Sequence, residues 1–175
     1  MGPDLFWVPG PWSGRLAIST RPRGGDWLED EVCGWRDAGV DMVVSLLDAK
    51  EETELDSAAE GRLIEGAGIR FVSYPIADLG VPASRTVAAF LAQVLNRSLA
   101  DGQNVVVHCR QGVGRSGMMA AGALIVAGMN APAAVQAVSA ARGVEVPETA
   151  AQRRWLEQLA ASREVGNAPS TARRP

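Results

Sequence analysis

The segment from His108 to Ser116 constrains this chain more than any other part of its sequence. It follows Val105 to Val107, a β-branched run typical of a short buried strand, and precedes an Ala-, Leu- and Ile-rich stretch typical of a buried helix. A strand, loop and helix of this kind point successive backbone N–H groups into one concavity at the helix N-terminus, where they can bind a dianion. The sequence therefore predicts an anion site after this strand.

The loop that follows Cys109 supplies the candidate substrate contacts, which are Arg110, Gln111, Gly112, Val113 and Gly114. The glycines let the backbone curl and approach an anion closely. Arg115 adds a planar guanidinium that can bind two phosphate oxygens at once. We expect Cys109 as a thiolate, because helix N-termini and nearby cations favour that form. A phosphate cradle with a nucleophile at its base is typical of a phosphatase.

His108 and Cys109, five loop residues, and then Arg115 and Ser116 match the signature of the cysteine-dependent protein tyrosine phosphatase superfamily. The context resembles its small dual-specificity-like members. The resemblance implies that Cys109 is the nucleophile and that His108 organises the loop and helps to hold the thiolate. It also implies that Ser116 aids departure of the thiolate when water attacks the phosphocysteine. Ser116 is further expected to cap the helix that follows. The alternative for the whole motif is a buried structural cysteine next to a helix that Ser116 caps, with no catalytic role.

A phosphocysteine route needs a proton donor for the leaving group, and Asp78 is the best candidate. It follows the predicted strand 69–76 in a loop that contains glycine and proline and could move as a lid. The segment resembles the general-acid loop of dual-specificity phosphatases. Two other aspartates compete for the role: Asp48 also follows a strand, whereas Asp101 precedes one and so belongs at the opposite edge of the sheet.

A second, softer resemblance lies at Arg142 to Pro147 together with Gln152. Related phosphatases place an arginine-containing turn and then a helix with a glutamine close to the site, where the amide can position the hydrolytic water. The alternative for Gln152 is a solvated residue on an amphipathic helix. Glu145 and Glu148 depart from the basic or proline-rich character of that turn, so substrate contacts there stay open.

Predicted strands alternate with predicted helices, which indicates an α/β fold with a mostly parallel central sheet of about four to five strands, like that of phosphotyrosine phosphatases. The predicted strands are 14–19, 42–47, 69–76 and 105–107, and the predicted helices are 27–38, 51–65, 84–99, a helix from 116, 131–141 and 148–162. Sites in such sheets lie outside the carboxyl ends of the strands. Length and composition predict one domain, 1–165, and a disordered tail, 166–175.

Composition argues against several classes of partner and cofactor. A net charge of −3 without a basic block gives nucleic-acid binding no electrostatic support. The single histidine and two distant cysteines offer no metal cluster, so we expect no cofactor, and Cys33 is expected to pack on a helix face. The longest apolar run, Met118 to Met129, is too short to span a bilayer, and the N-terminus lacks a signal peptide, which predicts a cytoplasmic chain without stable membrane association.

The leading hypothesis is a phosphatase that acts on phosphotyrosine, and also on phosphoserine or phosphothreonine, in a protein or peptide. A phosphoinositide or RNA 5′-phosphate phosphatase with the same cradle is the first alternative. Lipid-directed relatives tend to carry lysines in the variable loop, where Arg110 is the one cation here. An inactive phosphopeptide-binding module is a further alternative, and sulfur transfer and arsenate reduction are more remote.

Overall fold

Five strands form one sheet in the order β1-β2-β5-β3-β4. The computed structural model of the chain describes residues 3–167, with side chains up to residue 163. Strands β2, β5, β3 and β4 are mutually parallel, and β1 pairs antiparallel with β2 at one edge. The strands are β1 (Leu5–Val8), β2 (Leu16–Ser19), β3 (Met42–Ser45), β4 (Arg70–Ser73) and β5 (Val105–His108). This confirms the predicted mostly parallel α/β sheet.

Helices cover both sides of the sheet. They are α1 (Leu28–Asp37), α2 (Ala49–Glu54), α3 (Glu60–Gly66), α4 (Arg85–Ala100), α5 (Arg115–Val126), α6 (Ala131–Arg142) and α7 (Ala150–Asn167). The larger core lies between the sheet and α4 to α7, and the smaller core lies under α1 and α3. Because both sides are covered, the central strands β2, β3 and β5 are apolar up to their last residue and show no polar alternation.

Strand β5 divides its side chains between the two cores. Val105 and Val107 pack in the larger core, whereas Val106 packs in the smaller one. Side chains alternate across a strand, so the same period places His108 toward α1 and α3 and Cys109 toward α4 to α7. The last strand residue and the first loop residue therefore lie on opposite sides of the sheet.

The segment 51–65, predicted as one helix, forms two. Asp48 starts α2 early with a capping box, and Asp56 then adopts a left-handed backbone with φ +50°, which ends the helix. The carbonyl of Asp56 accepts a hydrogen bond from Gly25 N–H at 2.8 Å, so a tertiary contact with the segment before α1 holds this break. The sequence analysis also missed β1, which pairs only with β2.

The remaining helix predictions agree within a few residues with the structure. Ser84 caps α4 as expected, its hydroxyl accepting from Val87 N–H at 3.3 Å. Helix α7 continues to Asn167, beyond the predicted start of the tail at residue 166, and residues 168–175 lie outside the described residues. None of the helices in the described part of the chain is both long and apolar enough to cross a membrane.

Replacing Leu95 by alanine should lower the free energy of unfolding by about 2–5 kcal/mol, because this side chain is fully buried and its removal leaves a cavity. Val87→Ala, on the same helix but 48% exposed, should change it by less than about 0.5 kcal/mol. Urea denaturation of both variants measures the difference. Equal losses of unfolding free energy in the two variants would contradict the orientation of α4, in which Leu95 faces the sheet and Val87 faces solvent.

Candidate active site

The predicted cradle lies at the carboxyl end of β5, between two parallel neighbours. Because β3 and β4 run in the same direction, the loops that follow them reach the same edge of the sheet. The backbone carbonyls of Leu46 and Ile76 show this directly, since both accept hydrogen bonds from Arg115, at 3.4 and 2.9 Å. The loops after three strands therefore meet around one guanidinium.

Cys109 lies at the base of the cradle and is 3% exposed. Its Sγ is 3.3 Å from the hydroxyl of Ser116, close enough for a hydrogen bond in either direction. Ser116 lies in the first turn of α5, whose cap position is Gly114, so the expectation that Ser116 caps this helix was wrong. Since no side chain caps α5, its first N–H groups are directed toward the loop that Cys109 opens.

Arg115 is held by a carboxylate that the sequence analysis did not select. Glu51 binds the guanidinium with both oxygens, at 2.6 Å to Nη1 and 2.8 Å to Nη2, and both side chains are buried. Asp48 supports this pair through the capping box of α2, in which its carboxylate accepts from Glu51 N–H at 2.9 Å. The sequence did hold a signal for Glu51: an aspartate followed three residues later by a glutamate is the pattern of a capping box, which holds the glutamate side chain at the start of the helix.

The two partners shift each other's proton affinity. Burial lowers the pKa of Arg115, but the hydrogen bond to Glu51 and the charges of Cys109, Glu51 and Asp78 raise it more, so the net pKa is above its ordinary value. Burial likewise raises the pKa of Glu51, whereas the Arg115 hydrogen bond and the Asp48 N–H outweigh it and lower the net pKa. The pair is therefore ionised at neutral pH.

Asp78 reaches the same guanidinium from the loop after β4. Its Oδ1 lies 3.0 Å from Nη2 of Arg115, and its side chain is 60% exposed. The structure thus brings this predicted acid to the cradle. The other two aspartates are placed elsewhere: the Asp48 carboxylate caps α2, and Asp101 follows the end of α4 at the opposite edge of the sheet.

Gln152 ties the Asp78 loop to the start of α7. Its Nε2 donates to the carbonyl of Gly80 at 3.0 Å, and its Oε1 accepts from the N–H groups of Glu148 and Thr149 at 3.1 and 3.2 Å. The side chain is fully buried, so the alternative of a solvated glutamine was wrong. A Cβ at Gly114 would lie 3.2 Å from the same amide, which places Gln152 beside the cradle.

The cradle backbone is fixed from outside by two tight contacts. Gly112 has φ +66°, and a Cβ there would lie 2.7 Å from the carbonyl of Ser19, so this left-handed position next to β2 suits only glycine. Arg142 donates to the carbonyls of Gly112 and Gln111 at 2.9 and 3.2 Å. The turn at 142–147 therefore lies close to the site, as the resemblance implied. Of the remaining loop residues, Arg110 is exposed and Val113 is half-buried.

His108 lies behind the cradle, on the other side of the sheet from Cys109. It is fully buried, with its ring centroid 5.8 Å from that of Trp35 and its Nε2 2.8 Å from Oε1 of Glu60. Glu60, on α3, is a buried carboxylate that the sequence analysis did not select. His108 is therefore held by side chains of α1 and α3, directly before the loop and on the side of the sheet opposite Cys109, and its organising role stays a prediction.

A family model described as PTP-SAK, the DSP-PTPase phosphatase domain of Swiss Army Knife proteins, matches residues 11–169. Protein 197R of Invertebrate iridescent virus 6, which its name assigns to the tyrosine phosphatases, is 25% identical over 166 residues, covering 93% of this chain and 59% of its own length. The protein named phosphatidylinositol 3,4,5-trisphosphate 3-phosphatase and protein-tyrosine-phosphatase PTEN1, from Arabidopsis thaliana, is 32% identical over 94 residues, covering 50% of this chain and 22% of its own.

A solved structure of kinase associated phosphatase, with serine in place of its catalytic cysteine, superposes with a TM-score of 0.81 at 19% identity. The match covers 92% of this chain and 98% of that one, and it shows the shared fold alone. The present chain spans less than two thirds of the length of the curated relatives it matches. The family model, in contrast, spans nearly all of it. The resemblance noted at the cradle is thereby confirmed, and the chain belongs to the PTP-SAK family of dual-specificity-type tyrosine phosphatase domains.

Proposed function

We propose that this chain hydrolyses phosphate monoesters through a phosphocysteine intermediate, with phosphotyrosine in a protein or peptide as the preferred substrate. One observation carries the proposal. Cys109 lies at the base of an uncapped helix N-terminus, while Arg115 and Asp78 meet above the same loop at 3.0 Å. A nucleophile, a phosphate ligand and a proton donor are the three groups that the two-step reaction needs.

In the first step, the Cys109 thiolate attacks phosphorus, and the bond from phosphorus to the ester oxygen breaks. Glu51 occupies the Nη1 and Nη2 edge of Arg115, whereas Nε has no acceptor among the described residues. The Nε and Nη2 edge is thus the one that faces a bound phosphate, together with the N–H groups of the cradle. These donors stabilise the charge that develops on the phosphoryl oxygens.

Substrate binding and acid catalysis are coupled through Arg115. A phosphate dianion that binds Nη2 competes with the Asp78 carboxylate, which now occupies that nitrogen at 3.0 Å. Displaced from Arg115, the exposed Asp78 carboxylate takes up a proton from solvent, turns toward the leaving oxygen and donates that proton there. The leaving alcohol or phenol departs neutral.

In the second step, water attacks the phosphocysteine and the bond from sulfur to phosphorus breaks. The Asp78 carboxylate takes a proton from the water, and the Ser116 hydroxyl, 3.3 Å from Sγ, donates a hydrogen bond to the departing thiolate. Gln152 lies beside the cradle, and we propose that the second hydrogen of its Nε2, which donates the first to Gly80, orients this water. Inorganic phosphate and the free enzyme result.

The choice of peptide over phosphoinositide rests on charge and on the loops. Arg110 is the one cation in the variable part of the cradle, and the chain carries a net charge of −3. No aromatic residue occurs in the loops 77–82 and 143–149, so nothing in them stacks on a tyrosine ring or deepens the site. We therefore propose a shallow site that favours phosphotyrosine because phenoxide is the better leaving group.

Cys109→Ser should abolish turnover of an aryl phosphate while phosphopeptide binding is largely retained, because a hydroxyl keeps the shape but is hardly ionised at neutral pH. Cys33→Ser, in the only other cysteine, is the matched control and should keep wild-type kcat. Steady-state turnover and binding of a phosphopeptide by calorimetry measure the two effects. Comparable activity in both variants would remove Cys109 from the nucleophile role.

Asp78→Asn should lower kcat by about 10²- to 10⁴-fold for esters of poor leaving groups and far less for activated aryl esters, the pattern of a lost proton donor. Asp101→Asn is the control at the opposite edge of the sheet. A uniform loss across leaving groups would instead indicate a structural role for Asp78.

Matched peptides that carry phosphotyrosine, phosphothreonine or phosphoserine should all be hydrolysed, with the highest kcat/KM for phosphotyrosine. Phosphoinositides in vesicles and an RNA 5′-phosphate complete the panel. A strict exclusion of the aliphatic esters would show that the site is deep. Preference for a phosphoinositide over all three peptides, which the name of the Arabidopsis relative makes worth testing, would overturn the protein substrate.

A further inference from the structure

A second cationic pocket adjoins the cradle. It has a volume of about 500 Å³ and is lined by Thr20, Arg21, Arg23, Arg110 and Gln111. The last two directly follow Cys109 and form part of the cradle loop, so the pocket and the phosphate site share one wall. The other three follow β2, the strand next to β5. None of the arginines in this pocket has a role in the two-step reaction above.

The β2 side of the pocket is fixed to the cradle by backbone contacts. Arg21 N–H donates to the carbonyl of Arg110 at 3.4 Å, and Gly112 packs directly on the carbonyl of Ser19. Pro22, which restricts the backbone between the two arginines, is buried. The positions of Arg21 and Arg23 relative to Cys109 are therefore set by the fold.

The pocket holds more positive than negative charge. Arg23 pairs with Glu31 at 2.5 Å, and Arg110 lies 3.5 Å from Glu54 with both side chains more than 40% exposed, a geometry worth little in water. Arg21 donates to the carbonyl of its neighbour Pro22 at 3.1 Å. Among the described residues, no carboxylate lies within ion-pair distance of Arg21. One guanidinium is thus left to bind an anion.

We propose that this pocket binds an acidic side chain that flanks the phosphoresidue of a peptide substrate, with Arg21 as the main determinant of this specificity. The proposal rests on the proposed phosphatase function and narrows its substrate class to acidic phosphopeptides. A substrate phosphate in the cradle places the neighbouring residues of the peptide at the wall formed by Arg110 and Gln111. A carboxylate there reaches a cation without any change in the fold.

The surroundings of the pocket favour a peptide over an anionic membrane. Arg21 and Arg23 also line the two adjoining clefts, which hold the exposed carboxylates of Asp4 and Asp30 on one side and of Glu54 and Asp56 on the other. A flat anionic surface laid over the pocket would also meet these exposed carboxylates, which repel it. A single acidic side chain contacts the pocket alone and avoids them.

The test uses phosphotyrosine peptides that differ only in carrying glutamate or glutamine at one flanking position at a time. With the wild-type chain, kcat/KM for the best glutamate peptide should exceed that of its glutamine partner by about two- to fivefold, the upper part of the range for one partly exposed charge pair. The ratio should fall as salt is raised, because the pair is accessible to screening. Arg21→Gln should bring the ratio close to one.

Arg97→Gln is the matched control, since it makes the same charge change at an exposed position near the end of α4, at the opposite edge of the sheet. It should leave the ratio of kcat/KM between glutamate and glutamine peptides unchanged. An equal fall of this ratio in both variants would mean that net charge acts at long range, and would overturn the proposed pocket. Equal kcat/KM for glutamate and glutamine peptides in the wild type would overturn the pocket but leave the phosphatase function standing. No hydrolysis of any peptide or aryl phosphate would overturn the proposed function itself.

Discussion

The buried pair of Arg115 and Glu51 is the contact on which the geometry of the site depends. Glu51 binds two nitrogens of one guanidinium, and the carbonyls of Leu46 and Ile76 and the carboxylate of Asp78 bind the same group. Loss of either partner of such a pair leaves an uncompensated buried charge, which typically costs about 3–5 kcal/mol. The lowered pKa of Glu51 keeps the pair ionised in mild acid, so the Arg115 guanidinium holds its orientation there.

The same pair fixes the plane of the guanidinium and still leaves one of its contacts exchangeable. One edge of the guanidinium is committed to Glu51, which fixes its plane, while Nη2 also contacts an exposed carboxylate on a loop. In the proposed reaction, this one exchangeable partner lets phosphate binding release Asp78 without moving the cradle. Gln152 limits that movement, because its amide holds Gly80 two residues after Asp78.

Successive side chains at the end of β5 point to opposite sides of the sheet. Cys109 points into the side where α5 begins, and His108 points to the side of α1 and α3, where Glu60 and Trp35 contact it. His108 and its two partners are thus kept apart from Cys109 by the sheet. Arg142 and Ser19 complete the support at the loop itself, through Gly112.

The sequence by itself determined the parallel strands, the cradle and the position of the Asp78 loop, because each depends on local signals: a β-branched run, a glycine-rich turn before a helix, and an aspartate just after a parallel strand. It did not reveal Glu51, Glu60 or Arg21, and it missed β1 and the break at Asp56. These depend on contacts between distant parts of the chain, such as Glu51 with Arg115, 64 positions apart. Only the tertiary structure decides them, since strand order and register set which side chains meet, and neither is encoded in the spacing of residues along one segment.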